Sequence, residues 1–355
     1  MHSAQQIKAL QDKKDIIVMA FESSCDETAA AIVKNGREVL GNAVYTQIAI
    51  HREFGGVVPE IASRNHVAKL PIVAEQALLE AGLSFADIDA FAVTSGPGLV
   101  GALLTGVSYA KGLSFALKKP LIPVNHMEGH VSANFISDQD LEPPFICLVV
   151  SGGHTSILLV EDYGKYRELG TTRDDAAGEA FDKIARVLGL PYPGGPALQE
   201  LAKGGNDEAY TFPKAFKGET HLDFSFSGLK TAAINLIRKL ERQDPDFNKA
   251  DLAASFQKAV VSTLIKNAFE AARREGMKKL VLAGGVCANT LLRSEADRLS
   301  KKYGIALTYP KLAYCTDNAA MIASAAYFAM NRGCAKLDLN ADPSLDVTGK
   351  TPAYL

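Results

Sequence analysis

The sequence contains no run of 18 consecutive apolar residues among its 355 positions, whereas a bilayer-spanning helix needs about 20. Its polar first 16 residues lack the apolar core of a secretory signal. The five cysteines are widely spaced without a Cys-x-x-Cys pair, so neither a disulfide framework nor a cysteine zinc finger is expected. With 38 basic and 40 acidic residues the net charge is −2, so nucleic acid could be held only by a local patch. These absences predict a cytoplasmic protein without membrane contacts.

Apolar strands alternate with helical stretches along the chain. First come a buried strand at 15–21, a polar turn and a second strand at 28–33. Helices then follow at 59–79 and 101–117, and strands at 88–93 and 121–124. After a loop at 138–144 the strand–turn–strand pattern returns at 145–150 and 155–160, with Ser151-x-x-x-Thr155 matching Ser24-x-x-x-Thr28. This order predicts an α/β fold with two related lobes.

The second half of the sequence continues the alternation. Helices are predicted near 178–190, 227–242, 252–275, 289–303 and 317–330, and strands at 279–282 and 306–309. We therefore expect an N-terminal extension at 1–14, an N-terminal α/β lobe at 15–140, a C-terminal α/β lobe at 141–333 and a tail at 334–355, which is irregular from residue 340.

Two histidines four residues apart, His126 and His130, follow directly on a predicted strand. Residues at this spacing share one face of a helix, so both imidazoles could reach one metal ion, the alternative being an accidental spacing. Glu128 lies about 200° around the helix from His126 and cannot act as the water-activating glutamate of a zinc peptidase. A third ligand is needed, and Asp317 is the candidate. The alternative is that Asp317 or Thr316 only caps the helix that follows.

Glycine turns recur at three places: Ser151-Gly152-Gly153-His154, Gly194-Gly195-Pro196 and Gly284-Gly285. Such turns can aim backbone N–H groups at an anion, and the third follows a strand and opens a helix. Neither a P-loop nor a Rossmann fingerprint is present. Together the turns favour a nucleotide cleft over ordinary chain reversal. Asp182, one turn into a helix with an acidic start, could bond a ribose hydroxyl if it faces that cleft.

The motifs occur in an order that is specific to one family. They are Glu22-Ser-Ser-Cys-Asp-Glu-Thr28, Gly55-Gly-Val-Val-Pro-Glu-Ile-Ala-Ser-Arg64, Ser95-Gly-Pro-Gly98, Asn125-His-Met-Glu-Gly-His130, Val150-Ser-Gly-Gly-His-Thr155, 174–196, Phe224-Ser-Phe-Ser-Gly-Leu-Lys230, Gly284-Gly-Val-Cys-Ala-Asn289 and Cys315-Thr-Asp-Asn-Ala-Ala320. Over residues 16–332 the sequence resembles the tRNA N6-adenosine threonylcarbamoyltransferase family of the TsaD type, once regarded as O-sialoglycoprotein endopeptidases.

The resemblance implies a two-lobed actin/sugar-kinase/heat-shock-ATPase-like fold with a nucleotide cleft between the lobes. It implies transfer of the threonylcarbamoyl group from L-threonylcarbamoyl-adenylate, made by a separate synthetase, to N6 of adenosine 37. The acceptors are tRNAs that read codons starting with A, and AMP leaves. The implied partners are a TsaB-type paralogue and a TsaE-type ATPase. We expect the paralogue to dock on the apolar helices near 59–79 and 101–117.

The resemblance also implies roles for particular residues. His126, His130 and Asp317 correspond to ligands of one divalent metal, iron(II) or zinc. The adenylate-binding positions correspond to Val150, Ser151, Gly152, Gly153, His154, Asp182, Gly195 and Asn289. Val149 stands where archaeal relatives have a tyrosine ligand, so substrate or water would fill that coordination position. A base must take the proton of the amine, and Asp26 and Glu27 are the candidates, turn capping being their alternative role.

Two other classes remain as alternatives to the transferase. One is a regulatory ATPase of the same fold that uses the cleft as a switch, and the weaker one is a metallopeptidase. A phosphate-switch ATPase binds magnesium through carboxylates and water and has no need of imidazoles, so the paired histidines favour the transferase.

Overall fold

The computed structural model describes residues 7, 10, 12–216, 219–244, 246–335 and 337–348. Two compact α/β units make up this part of the chain. The first unit contains the chain up to Pro143, Asp162–Tyr166 and the chain from Pro310 onward. The second unit contains Pro144–Glu161 and Arg167–Tyr309.

The first unit is built on a sheet in which the strands lie in the order β3-β2-β1-β4-β5. Its strands are β1 (Ile17–Glu22), β2 (Glu27–Lys34), β3 (Glu38–Thr46), β4 (Ala90–Gly96) and β5 (Leu121–Asn125). β2 runs antiparallel to β1 and to β3, whereas β1, β4 and β5 are mutually parallel. The three parallel strands therefore end at one edge of the sheet, and the turns that follow them meet there.

Helices cover both faces of the first sheet, because its central strands are apolar on both sides. In β1, Met19 and Phe21 join the core beneath two helices, while Val18 and Ala20 join the opposite core. The helices of this unit are α1 (Ile48–Arg52), α2 (Pro59–Ala81), α3 (Val100–Leu117), α4 (His126–Ser137) and, from the end of the chain, α10 (Ala319–Ala329). α2 and α3 contribute to the Met19 side, and α4 and α10 to the Val18 side.

The sheet of the second unit has its strands in the order β10-β9-β6-β7-β8. When this order is reversed, it corresponds strand by strand to that of the first unit. They are β6 (Phe145–Val150), β7 (Thr155–Asp162), β8 (Lys165–Thr171), β9 (Lys279–Ala283) and β10 (Ala306–Thr308). The helices are α5 (Ala177–Val187), α6 (Gly194–Ala202), α7 (Ser227–Gln243), α8 (Lys249–Arg274) and α9 (Thr290–Tyr303). β6 takes the place of β1, antiparallel to β7 and parallel to β9. The predicted strand–turn–strand repeat is confirmed.

The predicted lobe at 141–333 differs from the observed units. The break after Pro143 lies close to the expected boundary, but the chain from Pro310 onward returns to the first unit. α10 is rich in alanine and fully buried at Ala319, Ala323 and Ala326, so its small side chains allow it to lie close to the first sheet. Periodicity shows that such a helix is buried but not which sheet will bury it.

Three further outcomes concern the ends of the chain and the long apolar helix α3. The predicted irregular tail is confirmed for 340–348, which holds neither helix nor strand, while 349–355 lie outside the described residues. Most of the extension at 1–14 lies outside them too. Among the described helices, α3 is long and apolar enough to cross a membrane, with a mean hydropathy of 1.3. Core helices pass the same test, so no membrane protein is indicated.

Candidate functional site

Two histidines and one aspartate converge at the edge where the parallel strands of the first sheet end. Asn125, the last residue of β5, caps α4 by accepting a 2.9 Å hydrogen bond from Met127 N. His126 and His130 therefore stand one turn apart on the first turns of α4. Their Nε2 atoms lie 3.5 and 3.3 Å from Asp317 Oδ1. The three predicted metal ligands thus come together, with one donor atom of each within 4.8 Å of the others.

Asp317 reaches this group because another residue caps α10. The cap is Asn318, whose Oδ1 accepts a 3.0 Å hydrogen bond from Met321 N and whose Nδ2 donates to Thr316 O at 2.8 Å. The alternative in which Asp317 or Thr316 is the cap is therefore wrong. A carboxylate just outside a capped helix remains available to a ligand.

The group fits a divalent metal. Both ring nitrogens of His130 are buried and make no hydrogen bond, which is costly for a polar group shielded from water. A bound cation would remove that cost at the nitrogen that faces it. Two imidazoles and one carboxylate form a ligand set used by iron(II) and by zinc.

Glu22 is a functional residue that sequence reasoning missed. It is the last residue of β1, fully buried, and its Oε2 lies 3.3 Å from His126 Nδ1. Ser24 N donates to its Oε1 at 2.5 Å, and Thr94 Oγ1 donates to its Oε2. With Nδ1 facing Glu22, the Nε2 of His126 is directed to the ligand group. A carboxylate ending a fully buried strand was the signal that could have revealed it.

The two carboxylates around His126 make this a site that attracts positive charge. Burial alone would lower the pKa of His126, but Asp317 and Glu22 raise it to about 9. Burial alone would raise the pKa of Glu22, yet His126 beside it lowers that pKa. Either a proton or a metal cation satisfies this charge distribution.

Glu128 points away from the ligands, as predicted. Its carboxylate accepts hydrogen bonds from Arg332 Nη2 at 2.6 and 2.7 Å and from the Tyr166 hydroxyl at 3.2 Å. The adjacent Gly129 allows α4 and α10 to approach, because a Cβ there would lie 2.6 Å from Ile322 Cδ1. The ion pair and the close approach join α4, which carries His126 and His130, to the returning end of the chain.

Of the two candidate bases, Asp26 lies in the turn between β1 and β2, and Glu27 is the first residue of β2. Glu27 Oε1 accepts a 3.1 Å hydrogen bond from Thr46 Oγ1, whereas its Oε2 is buried and makes no hydrogen bond. Burial and the neighbouring Asp26 raise the pKa of Glu27 to about 8, and the charges of Asp317 and Glu22 add to the effect. Glu27 is therefore within electrostatic reach of the metal ligands.

The glycine turn of the second unit follows β6 and is closed on itself. Ser151 N donates to His154 O at 2.8 Å, and His154 N donates to Ser151 Oγ at 3.1 Å, which leaves Gly152 and Gly153 exposed. The side chains of Val149 and Val150 are buried in the sheet, so they can offer a ligand only backbone atoms.

The third glycine turn lies beside this one because β6 and β9 are parallel and end at the same edge. Gly284 has φ of +88°, and a Cβ there would lie 2.4 Å from Val150 O. Only glycine permits both this conformation and this approach.

The remaining predicted adenylate positions have capping roles in the structure. Asp182 Oδ1 accepts hydrogen bonds from Gly194 N at 2.7 Å and Gly195 N at 3.2 Å, at the start of α6. Asn289 caps α9 through Leu292 N at 3.0 Å. The next residue, Thr290, donates its N–H to Gln199 of α6 at 2.8 Å. α6 thus connects the Asp182 and Asn289 regions.

The two sheets and the His–His–Asp group define a class: a two-lobed α/β protein of the actin/sugar-kinase/heat-shock-ATPase fold with a side-chain group that could hold a metal. The fold is shared with full-length HypF in a phosphate- and nucleotide-bound form, at a TM-score of 0.57 and 15% identity over 96% of this chain and 47% of that one. Component A of the Acidaminococcus fermentans (R)-2-hydroxyglutaryl-CoA dehydratase has the same fold at a TM-score of 0.53 and 16% sequence identity. That match covers 90% of this chain and 99% of the other. At these identities the similarity concerns the fold alone.

Sequence comparison identifies the family. The TsaD family of tRNA N6-adenosine threonylcarbamoyltransferases matches residues 38–324. Enzymes with that name from Clostridium perfringens strain SM101 and Clostridium novyi strain NT are 58% and 57% identical to this chain. The first alignment covers 93% of this chain and 97% of the relative, and the second covers 94% and 98%. The chain belongs to the TsaD family, and it is an acyltransferase that modifies tRNA. The resemblance carried by the motifs is confirmed.

Proposed function

We propose that this chain transfers the threonylcarbamoyl group from L-threonylcarbamoyl-adenylate to N6 of adenosine 37 in tRNAs that read codons starting with A, with release of AMP. The convergence of His126, His130 and Asp317 carries the proposal, because it supplies a metal site in a chain of this family. Among the described residues no other group of histidine, cysteine and carboxylate side chains has this geometry.

The reaction is an acyl transfer to a poor nucleophile. The exocyclic nitrogen of adenosine forms a bond to the carbamoyl carbon of the mixed anhydride, and the bond from that carbon to the phosphate oxygen breaks. AMP leaves with the electron pair, and the nitrogen loses a proton to a base. The adenylate supplies the good leaving group that an amine of this kind needs.

His126, His130 and Asp317 would hold one iron(II) or zinc ion. Such a Lewis acid polarises phosphate or carbonyl oxygens. Glu22 keeps the His126 ring oriented from the opposite side, and Asn318 keeps Asp317 outside the cap of α10. These partners place the ligands before substrate arrives, which lowers the cost of binding.

Glu27 is the better of the two candidates for the base. A general base works best when its pKa lies near the working pH, and burial with Asp26 brings the pKa of Glu27 to about 8. Its buried Oε2 makes no hydrogen bond and is available to a proton. We expect kcat/KM to rise with pH toward about 8 and then level off. Glu27→Gln should lose this rise, whereas Asp26→Asn should keep it but shift it to lower pH, because the charge of Asp26 raises the pKa of Glu27.

The glycine turns of the second unit would bind the adenylate. Backbone N–H groups around Ser151-Gly152-Gly153-His154 suit the phosphate, because they stabilise the charge on the departing group. Val149 and Val150 would contribute backbone atoms only, and Asp182, Gly195 and Asn289 would meet the nucleoside in addition to their capping roles. The side chain of Val149 has no donor atom for a metal, so substrate or water would fill the position that it cannot.

The chain would work in the cytoplasm with a TsaB-type paralogue and a TsaE-type ATPase. The surface that supports a partner is the apolar face of α2 and α3, formed by the exposed side chains of Val67, Ile72, Leu79, Val100, Leu104 and Phe115. Leu79 alone is 82% exposed, which favours burial by another protein. A net charge of −2 also suggests that contact with tRNA is shared with partners.

Mass spectrometry of tRNA nucleosides from cells depleted of this protein tests the proposal. Threonylcarbamoyladenosine should disappear on depletion and return with the wild-type chain, but not with His126→Ala or Asp317→Ala. His221→Ala removes a histidine of the second unit that pairs with Glu219, and it should restore the modified base. Persistence of the modified base through depletion would contradict the proposal, and rescue by Asp317→Ala would contradict its metal site.

A further inference from the structure

A buried histidine of α2 contacts both ends of the short segment, Cys25 to Thr28, that carries the candidate bases. His66 is fully buried, and each of its ring nitrogens has a partner. Its Nε2 lies 3.0 Å from the backbone oxygen of Cys25, and its Nδ1 lies 2.8 Å from the hydroxyl of Thr28. Asp26 and Glu27 are the two residues between these contacts. One imidazole therefore closes the short segment that contains both carboxylates.

The two contacts determine the state of the ring. A carbonyl oxygen only accepts, so Nε2 must carry the hydrogen, and Nδ1 must accept from the Thr28 hydroxyl. Gln47 Nε2, 3.5 Å from Nδ1, is a further donor on that side. Burial lowers the pKa of His66, and the other titratable groups whose charges act on it are Glu22, Asp26 and His51. The ring is therefore a neutral Nε2–H tautomer at neutral pH.

The turn depends on this side chain at one point. Three successive carbonyls of the turn accept hydrogen bonds, each from a different part of the unit. Ser24 O accepts from Leu99 N at 2.8 Å, and Asp26 O accepts from Gln47 N at 3.0 Å. Only the middle carbonyl, that of Cys25, is held by a side chain. A substitution at His66 can therefore release the turn while both backbone contacts remain.

We infer that His66 is a positioning residue, whose neutral imidazole bridges Cys25 O and the Thr28 hydroxyl to hold Asp26 and Glu27 in their reactive placement. The inference rests on the proposed role of these carboxylates and adds the residue through which α2 acts on them. A displacement of about 1 Å in a catalytic group lowers the rate on the order of 100-fold, so loss of the bridge should lower kcat strongly.

Three substitutions at His66 separate the two contacts. His66→Gln places its side-chain amide where the ring has Nε2, so it keeps a donor for Cys25 O. His66→Asn places its amide where the ring has Nδ1, so it keeps an acceptor for the Thr28 hydroxyl and loses the contact with Cys25. His66→Phe loses both at similar volume. With the full chain and its partners, we expect His66→Asn and His66→Phe to lower kcat by about 10- to 100-fold at unchanged KM for tRNA. His66→Gln should recover most of the lost rate.

A second pair tests the other end of the bridge without altering the histidine. Thr28→Val removes the hydroxyl at nearly constant shape, and Thr28→Ser keeps it. Thr28→Val should lower kcat more than Thr28→Ser. Thermal unfolding, measured on each variant, separates this effect from loss of folded protein, because a purely structural role would change kcat only with the folded fraction.

The tautomer supplies a readout that does not depend on activity. Nitrogen-15 NMR of the histidine rings in the full chain should show His66 protonated at Nε2 only at neutral pH. A ring protonated at Nδ1, or a His66→Phe enzyme with wild-type kcat, would overturn the inference. A wild-type complex that makes no threonylcarbamoyladenosine would instead overturn the proposed function, and the NMR result would then still decide whether the bridge exists.

Discussion

Several unpaired or charged groups buried in the first unit lie where the chemistry is expected. Glu27 Oε2 and both ring nitrogens of His130 are buried without hydrogen bonds, and Glu22 is a buried carboxylate beside His126. Folding alone does not favour such groups, because each loses water without a full replacement. At the scale of single residues, the cost of burial is therefore what distinguishes site residues from the many carboxylates that cap helices.

Glu22→Gln should weaken metal binding by about 10- to 100-fold, because the variant keeps the shape but loses the charge that orients His126. Titration with zinc against a competing chelator measures the affinity. Glu60→Gln changes the net charge equally at an exposed position and should bind metal as the wild type does. Equal affinities for the two variants would show that Glu22 does not act on the ligand group.

Glu27 should make stability depend on pH in a defined direction. Its pKa is about 8 in the folded chain against an ordinary value of 4.5, so ionisation of Glu27 costs folding free energy. The cost is absent below about pH 4.5, grows between the two values and is complete above about pH 8. Glu27→Gln should thus gain stability over the wild type as pH rises, by roughly 2–5 kcal/mol.

Urea unfolding of the wild type and of Glu27→Gln at pH 5 and pH 9 measures this difference. Glu53→Gln, at an exposed position of the same unit, controls for the change in net charge. A Glu27→Gln advantage that is no larger at pH 9 than at pH 5 would contradict the raised pKa.

At the scale of elements, the metal group depends on how two helices begin. α4 starts at a cap by Asn125 and α10 at a cap by Asn318, and the ligands lie within about one and a half turns of these caps. Asn318→Ala should lower stability by about 1 kcal/mol and weaken metal binding as well, because Asp317 adjoins the cap. Asn248→Ala removes an equivalent cap, the one on α8 of the second unit. Asn248→Ala should lower stability by a similar amount and leave the metal affinity unchanged. Calorimetry measures the stability of each variant, and a metal titration measures its affinity.

The sequence predicted the apolar elements better than the polar ones. β1, β4 and α2 were found because their apolar side chains recur with a clear period. β3 and β8 were not predicted, since they lie at sheet edges and carry half-exposed polar residues that interrupt the pattern. The short helices α1 and α6 were also missed, because five and nine residues hold too few turns for periodicity to show.

At the scale of the whole molecule, the apolar face of α2 and α3 should determine assembly. Leu79→Glu places a charge at the most exposed apolar side chain of that face and should weaken binding of a TsaB-type partner by more than about tenfold. Leu312→Glu makes the same change at a leucine that is 65% exposed elsewhere in the first unit, and it should bind the partner normally. Affinity measured by calorimetry, with metal content as a check on folding, distinguishes the two. Equal affinities would place the partner on another surface.

The sequence by itself determined the α/β alternation, the repeat of two related units, the metal-ligating residue types and the family, because these follow from local periodicity and from ordered motifs. Only the tertiary structure decided that the chain returns from Pro310 to the first unit and brings Asp317 to His126 and His130. It also decided that Glu22 faces His126 and that His66 bridges the turn. Contacts between residues tens to hundreds of positions apart depend on which faces pack together, and that choice is made by the free energy of the whole folded unit rather than by any local pattern.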